Sequence, residues 1–234
     1  MMGGGFYTER AHPPSLATRS TEDIAAEFIA EIKSGVGTSG IRPGIMGEIG
    51  TSDPVTDAEV KVLRAHAWAF SETGVSLTIH QAPWARRGHE ILDVLEEEGV
   101  DLGRVVLGHL MVIEDLKYQR SLLDRGAILS YDFLGSDHAI FTYGQDVPPG
   151  RFPPNDYDVI TRLGRLAEAG YARQILVSGD IGERIRMQAY GSWGYSHIPL
   201  HIVPLMLAVG ISQSDVDLIC IENPRRLLTV TPKA

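Results

Sequence analysis

Residues 75–109 read VSLTIHQAPWARRGHEILDVLEEEGVDLGRVVLGH, and this stretch decides the fold class. Two short apolar runs, 75–80 and 104–109, each end in a histidine. Between them an amphipathic helix is predicted from about Gly88 to Glu98, with Gly99 suited to its C-terminal cap. A strand, a helix and a second strand at this spacing indicate a βαβ unit, so we expect a parallel sheet.

The same alternation continues in both directions and predicts six strands within one domain, residues 1–234. Ser20 with Asp23 and Thr56 with Glu59 have the spacing of capping boxes at the start of two further helices. Other helices are expected from about Glu114 to Asp124 and from about Asp156 to Ala169. The six predicted strands are Gly4–Tyr7, Gly44–Ile49, Val75–His80, Arg104–His109, Ala127–Tyr131 and Gln174–Ser178.

Composition narrows the classes of function. The chain has 21 basic and 30 acidic residues, a formal net charge of −9, which argues against a nucleic-acid or anionic-membrane partner. One cysteine excludes a disulfide within the chain, and no apolar stretch reaches the about 20 residues that span a bilayer. The glycine-rich start, Met1 to Tyr7, does not resemble a signal peptide. We therefore expect a soluble, cytoplasmic protein.

Four candidate metal ligands follow or end predicted strands: Glu48, His80, His109 and Asp180. The carboxyl ends of parallel strands meet at one edge of a sheet or one mouth of a barrel. The intervals from Glu48 to His80 and from His80 to His109 are each close to one βα unit, about 30 residues. The interval to Asp180 leaves room for two units, so one strand is skipped. We expect the four side chains to converge.

Two imidazoles and two carboxylates suit zinc or a similar divalent metal. Such a metal lowers the pKa of bound water from about 15.7 toward 7, and a neighbouring carboxylate can serve as general base. The alternative is that each strand-end histidine is a hydrogen-bonded structural residue. Four further side chains lie just past strands or in long loops, where either substrate contact or structural packing is expected: Trp84, Arg86, Tyr131 and Tyr190.

Several motifs together resemble the phosphotriesterase family of the amidohydrolase superfamily, in its branch of phosphotriesterase-related proteins. The resemblance runs over nearly the whole chain. Its individual motifs differ in specificity, and Glu222-Asn-Pro alone would be weak evidence for the family. The resembling segments are Gly40–Thr51, Leu77–His80, Leu95–Asp101, Val105–His109, Ser178–Ile181, Tyr190–His197 and Glu222–Arg226.

The resemblance implies a (β/α)8 TIM barrel with two divalent metals, most simply zinc, at its mouth. Glu48 would bridge the metals, and His80 and His109 would bind the more exposed one. Asp180 would bind the buried metal and act as the catalytic residue that takes the proton from the attacking hydroxide. The implied function is a hydrolase of a small phosphoester, lactone or amide-type substrate, and a homodimer is common in the family.

Two departures from the family pattern accompany the resemblance. Gly179 stands where a histidine is common, and the His-x-His pair of the family's first strand does not occur in these 234 residues. The family pattern therefore assigns only barrel strands 3 to 8 to this chain, and the resemblance implies one retained metal. The alternative reading is a truncated, inactive barrel remnant that binds metal weakly at most.

Overall fold

The computed structural model describes residues 2–136 and 154–230. Its centre is a six-stranded sheet in which every neighbouring pair of strands is parallel and the strands follow one another in chain order. This confirms the α/β class predicted from the alternating pattern. The strands are β1 (Met2–Gly4), β2 (Pro43–Thr51), β3 (Leu77–Gln81), β4 (Val105–Leu107), β5 (Ile128–Tyr131) and β6 (Ile175–Val177).

Helices connect the strands, and the two predicted capping boxes are present. The Ser20 hydroxyl accepts a hydrogen bond from Asp23 N, and the Thr56 hydroxyl accepts one from Glu59 N, with the reciprocal bond in each pair. Caps of this type each stabilise a helix by about 1 kcal/mol. The helices are α1 (Thr21–Ser34), α2 (Asp57–Thr73), α3 (Gly88–Glu97), α4 (Leu116–Leu123), α5 (Asp156–Leu166), α6 (Val203–Ala208), α7 (Gln213–Asp217) and α8 (Asn223–Leu228).

The first strand ends earlier than the sequence pattern predicts. Gly4–Tyr7 was the expected strand, but β1 ends at Gly4 and the chain then crosses the carboxyl end of β2. This crossing is close, because a Cβ at Gly50 would lie 2.2 Å from Thr8 N. The Gly50 amide donates to Phe6 O at the same point. The crossing carries Tyr7 toward the end of β3, a path that the β-rich pattern does not reveal.

The sheet is covered by helices whose apolar faces pack onto it. Leu77 and Ile79 of β3 lie beside Val105 and Leu107 of β4, and all four are fully buried. Because the strands are parallel, the carboxyl ends of β2, β3 and β4 lie side by side, although the pairing of β2 with β3 shifts register between Met46 and Ile49. Within the described residues, β1 pairs with β2 alone and β6 with β5 alone.

From the spacing of the predicted strands, two long connections are expected, one after β5 and one after β6. Most of the first, from Phe133 to about Asn155, lies outside the described residues. The second, from Ile181 to about His197, forms three short 3-10 turns, at Arg184–Arg186, Gln188–Tyr190 and Gly194–Ser196. Across the described ranges, none of the helices has the length and apolar character needed to cross a bilayer.

Candidate metal centre

Three of the four predicted metal ligands converge at the carboxyl end of the sheet. Glu48 lies in β2 and His80 in β3, and His109 follows β4 in a left-handed backbone conformation, with φ 62°. His80 Nδ1 lies 2.7 Å from His109 Nε2. Glu48 Oε1 is 3.4 Å from His109 Nε2, and Glu48 Oε2 is 4.0 Å from His80 Nδ1. One donor atom from each side chain lies within 4.8 Å of the others.

This donor set fits a divalent metal. A tetrahedral ion with ligand bonds of about 2.0–2.1 Å holds its ligand atoms about 3.3 Å apart, close to the separations between these side chains. His80 is 6% exposed and His109 is 3% exposed. The ring nitrogens that face each other can share at most one proton. A cation between them would instead use both lone pairs, and nitrogen and carboxylate donors are those that zinc prefers.

Asp132 orients the second imidazole. Its two carboxylate oxygens accept hydrogen bonds from His109 N, each at 3.0 Å, and Oδ1 lies 3.1 Å from His109 Nδ1. With Nδ1 donating to this carboxylate, Nε2 is the ring nitrogen that faces Glu48 and His80 and that a metal ion would use. Asp132 directly follows β5, the strand that the spacing of the candidate ligands had skipped.

The charges around the centre favour a cation. Burial lowers the pKa of His109, but the carboxylates of Asp132 and Glu48 outweigh this effect and raise that pKa to about 10. Burial raises the pKa of Asp180, and the negative charge of Asp132 raises it further, against the opposing effect of His109. The two pKa shifts share a cause, because the negative charges of Asp132 and Glu48 act on both His109 and Asp180.

Asp180 lies in the same cavity as the three converging side chains, although its carboxylate is not one of the cluster's close donors. The cavity has a volume of about 140 Å³, and Asp180 lines it together with Glu48, His80 and His109. Asp180 has a left-handed backbone with φ 43°, and the buried Arg186 guanidinium donates to its carbonyl oxygen. This hydrogen bond holds the loop after β6 against the cavity wall.

Sequence reasoning missed three side chains at this site. The Tyr7 hydroxyl lies 3.0 Å from His80 Nδ1, and the Phe133 ring stacks on His109 with ring centroids 4.4 Å apart. Arg186 is the third. Tyr7 lies at the end of a predicted strand, and this position could have identified it as a residue of the site. Nothing in the local pattern distinguished Phe133 or Arg186.

The four predicted substrate-contacting residues occupy different environments. Trp84 lines a cavity beside His80. Tyr131 is fully buried and its hydroxyl donates to Gln119, whereas Tyr190 is 58% exposed on a 3-10 turn. Arg86 is exposed, donates to Asp115 at 2.8 Å and lies over the ring of Tyr118. The structure therefore brings Trp84 to the site, and it places Tyr131 in the core.

Comparison with known proteins gives consistent matches. The model of the phosphotriesterase family matches residues 1–228. N-acetyltaurine hydrolase from Xenopus tropicalis is 37% identical over 228 residues, which are 97% of this chain and 64% of that protein. The human N-acetyltaurine hydrolase is 36% identical with the same coverage. The chain thus spans less than two thirds of the length of these relatives.

Solved structures agree with the sequence matches. A resiniferatoxin-binding protein from Rhodobacter sphaeroides superposes with a TM-score of 0.91 at 36% identity, covering 97% of this chain and 62% of that one. The phosphotriesterase homology protein from Escherichia coli, complexed with phosphate in its active site, gives 0.86 at 30% identity, covering 97% and 73%. These neighbours are phosphotriesterase-like TIM barrels, and the six parallel strands fit part of such a (β/α)8 barrel.

Proposed function

The chain belongs to the phosphotriesterase family, and from that premise we propose that it is a metal-dependent hydrolase with a zinc-type site at Glu48, His80 and His109. One observation carries the proposal: donor atoms of two buried histidines and of the more exposed Glu48 come within 4.8 Å of one another in an acidic cavity. Strand-end histidines with only structural roles would not need to aim their ring nitrogens at one another and at a carboxylate.

Each side chain has a defined task in this proposal. Glu48, His80 and His109 hold the metal, and Asp132 keeps His109 in the tautomer that presents Nε2. A divalent metal supplies Lewis acidity and lowers the pKa of water that it binds. The Asp180 carboxylate, which lines the same cavity, supplies a further oxygen ligand and accepts the proton of the attacking water.

We propose an N-acyl amide as the substrate class, because the relatives that match nearly the whole chain are named N-acetyltaurine hydrolases. Water adds to the acyl carbon, the C–N bond breaks, and the departing nitrogen takes up a proton, which yields a carboxylic acid and an amine. Phosphoesters and lactones are the competing classes. The phosphate in the active site of the Escherichia coli structure supports space for a tetrahedral oxyanion in this family.

The metal site is tested by binding rather than by activity. After removal of metal with a chelator, zinc titrated into the protein should bind with high affinity, and His80→Ala should weaken that binding more than about 100-fold. The matched control is His201→Ala, because His201 is an exposed histidine after β6 that belongs to no cluster of candidate ligands in the part of the chain that the structure describes. Equal zinc affinity in wild type and His80→Ala would sink the assignment.

The reaction is tested separately on the zinc-loaded protein. N-acetyltaurine, a simple lactone and a phosphotriester are offered in parallel, and the proposal expects release of taurine to be the fastest reaction. Removal of zinc should abolish turnover, and re-addition should restore it. A zinc-loaded protein that hydrolyses the lactone or the phosphotriester but not the amide would overturn the substrate class while leaving the metal site in place.

A further inference from the structure

Two loops contribute side chains to the metal centre from the strands that follow its three converging ligands. The loop after β5, residues 132–136, supplies Asp132, which orients His109, and Phe133, whose ring stacks on His109. The loop after β6 supplies Asp180, which lines the same cavity. The geometry of the centre therefore depends on how these two loops are held relative to each other.

A buried guanidinium joins the two loops. Arg186 lies on the 3-10 turn after β6 and is 3% exposed. Its Nη1 donates to Asp180 O at 2.5 Å, and its Nη2 donates to the Ser136 hydroxyl and lies 3.5 Å from Leu134 O. A guanidinium is a rigid, planar fork of donors, so groups bound to its different nitrogens are fixed relative to one another. We call these bonds from Arg186 to Asp180, Leu134 and Ser136 the Arg186 bridge.

Burial makes the Arg186 bridge important for the shape of the cavity wall. Leu134 and Ser136 are both buried. Buried polar atoms cannot replace a lost protein bond with one to bulk water, so removal of the guanidinium would leave them unsatisfied unless the loops move. A backbone hydrogen bond from Leu134 N to Ser178 O, at 3.3 Å, joins the same loops nearer the sheet. The bridge extends this contact outward to Asp180.

Asp180 has a backbone conformation that neighbouring groups must hold in place. Its φ of 43° is in the left-handed region, which residues other than glycine adopt at a cost in free energy. Its carbonyl oxygen accepts from Gly182 N at 2.9 Å as well as from Arg186. Burial and the charge of Asp132 raise the pKa of the Asp180 carboxyl, and the positive charges of His109 and Arg186 oppose that shift. Arg186 therefore acts on Asp180 both through its backbone and through charge.

We infer that Arg186 is a positioning residue, which fixes the Asp180 carboxylate relative to the three converging ligands of the metal centre. It acts through Asp180 rather than on the reacting atoms. The inference rests on the proposed hydrolase function, and it adds the side chain that sets the geometry of the proton acceptor. Loss of the Arg186 bridge should therefore lower kcat far more than it changes KM or zinc affinity, because the three converging ligands are positioned by β2, β3 and β4.

Kinetics of zinc-loaded variants on the fastest substrate test the inference. Arg186→Ala should lower kcat about 10–100-fold and leave KM and zinc affinity within about 3-fold. Guanidinium ion at millimolar concentration should restore part of this kcat, because it can enter the space that the side chain leaves. Arg186→Lys keeps the charge but lacks the planar fork, so its kcat should lie between those of wild type and Arg186→Ala. If Arg186→Ala does not fold, Arg186→Lys carries the test.

A double substitution distinguishes positioning from a general structural role. In an Asp180→Asn background, Arg186→Lys should lower kcat by less than a further factor of about 2, because the carboxylate that it positions is already absent. The matched control is Arg184→Ala, since Arg184 is an exposed arginine on the same 3-10 turn, and it should retain wild-type kcat. Full multiplication of the two losses, or wild-type kcat in the Arg186 variants, would overturn the inference.

Amide hydrogen exchange separates a failure of this inference from a failure of the hydrolase proposal, because it needs no turnover. The amides of Leu134, Ser178 and Gly182 donate hydrogen bonds in the two loops. In the metal-free protein, Arg186→Lys should make them exchange about 10-fold faster, and Arg184→Ala should leave them unchanged. If the zinc-loaded wild type hydrolyses no substrate, the hydrolase proposal fails, and exchange decides about the Arg186 bridge. Faster exchange in both loops supports the bridge, and wild-type exchange contradicts it.

Discussion

His109 and His66 are both buried imidazoles, yet the protein drives their pKa values in opposite directions. His66 lies in α2, is fully buried, and has its ring centroid 4.2 Å from that of Phe28 in α1. Burial lowers its pKa to about 4, against the opposing effect of a 2.8 Å hydrogen bond from Nδ1 to Val62 O. His109 is 3% exposed, and its pKa rises to about 10.

The difference comes from the neighbouring charges, because burial is nearly equal at the two sites. Around His66 the ring meets apolar side chains and a backbone carbonyl, so the neutral form is favoured. Around His109 the carboxylates of Asp132 and Glu48 more than offset the same desolvation. A buried histidine therefore indicates a candidate site only when carboxylates surround it, which is the condition that also favours a metal ion.

The largest expected effect is on zinc affinity, which should depend on His109 and not on His66. His109→Leu should lower zinc affinity more than about 100-fold, because it removes a ligand rather than a residue that orients one. His66→Leu should leave zinc affinity unchanged. Calorimetric zinc titration measures both, with thermal unfolding of each metal-free variant as the control for folding. If both variants lose zinc to the same degree, the contrast between the two regions is wrong.

The second prediction concerns pH and His66. Between pH 6.5 and 4 the unfolded chain binds a proton at this ring while the folded chain does not. The contribution of His66 to the free energy of unfolding is therefore fully present above pH 6.5 and falls as the pH drops. Because the pKa of His66 shifts from 6.5 to about 4, the loss of unfolding free energy is at most about 3 kcal/mol. His66→Leu should remove it, which would be measured as a smaller fall in unfolding free energy in urea from pH 7 to 4.5 than in wild type. Parallel curves for the two proteins would contradict the assignment.

The smallest expected effect on zinc affinity concerns Asp132, the residue that orients His109. Asp132→Asn keeps the shape of the side chain but removes the charge that holds the His109 tautomer. We expect zinc affinity to fall about 10–100-fold, the range for residues that orient a metal-binding histidine. Asp217→Asn on α7 serves as the matched surface control and should retain wild-type affinity. Wild-type affinity in Asp132→Asn would show that the carboxylate does not orient the ligand.

Much of the fold was predictable because its signals are local. The capping boxes at Ser20 and Thr56 depend on side chains three residues apart, and both are present in the structure. Gly99, predicted as a helix C-terminal cap, follows the end of α3 with a positive φ of 77°. The first strand was misplaced because its path depends on a close crossing over Gly50, a contact with a distant segment.

The candidate site was predictable in part of its membership but not in its geometry. Strand-end positions identified Glu48, His80, His109 and Asp180, since parallel strands bring their carboxyl ends together. The same reasoning also selected Tyr131, whose ring turns into the core and donates to Gln119. Which way a side chain points at the end of a strand depends on the local twist and on the turn that follows.

The sequence by itself determined the parallel α/β order, the approximate positions of the first five helices and the residue types available for a metal. Periodicity, capping and residue order are properties of neighbouring positions. Only the tertiary structure decided that His80 Nδ1 lies 2.7 Å from His109 Nε2, that Asp132 orients His109, and that a second cavity shares His80 with the metal centre. These facts depend on strand register and on left-handed turns at the strand ends, which join atoms from distant parts of the chain.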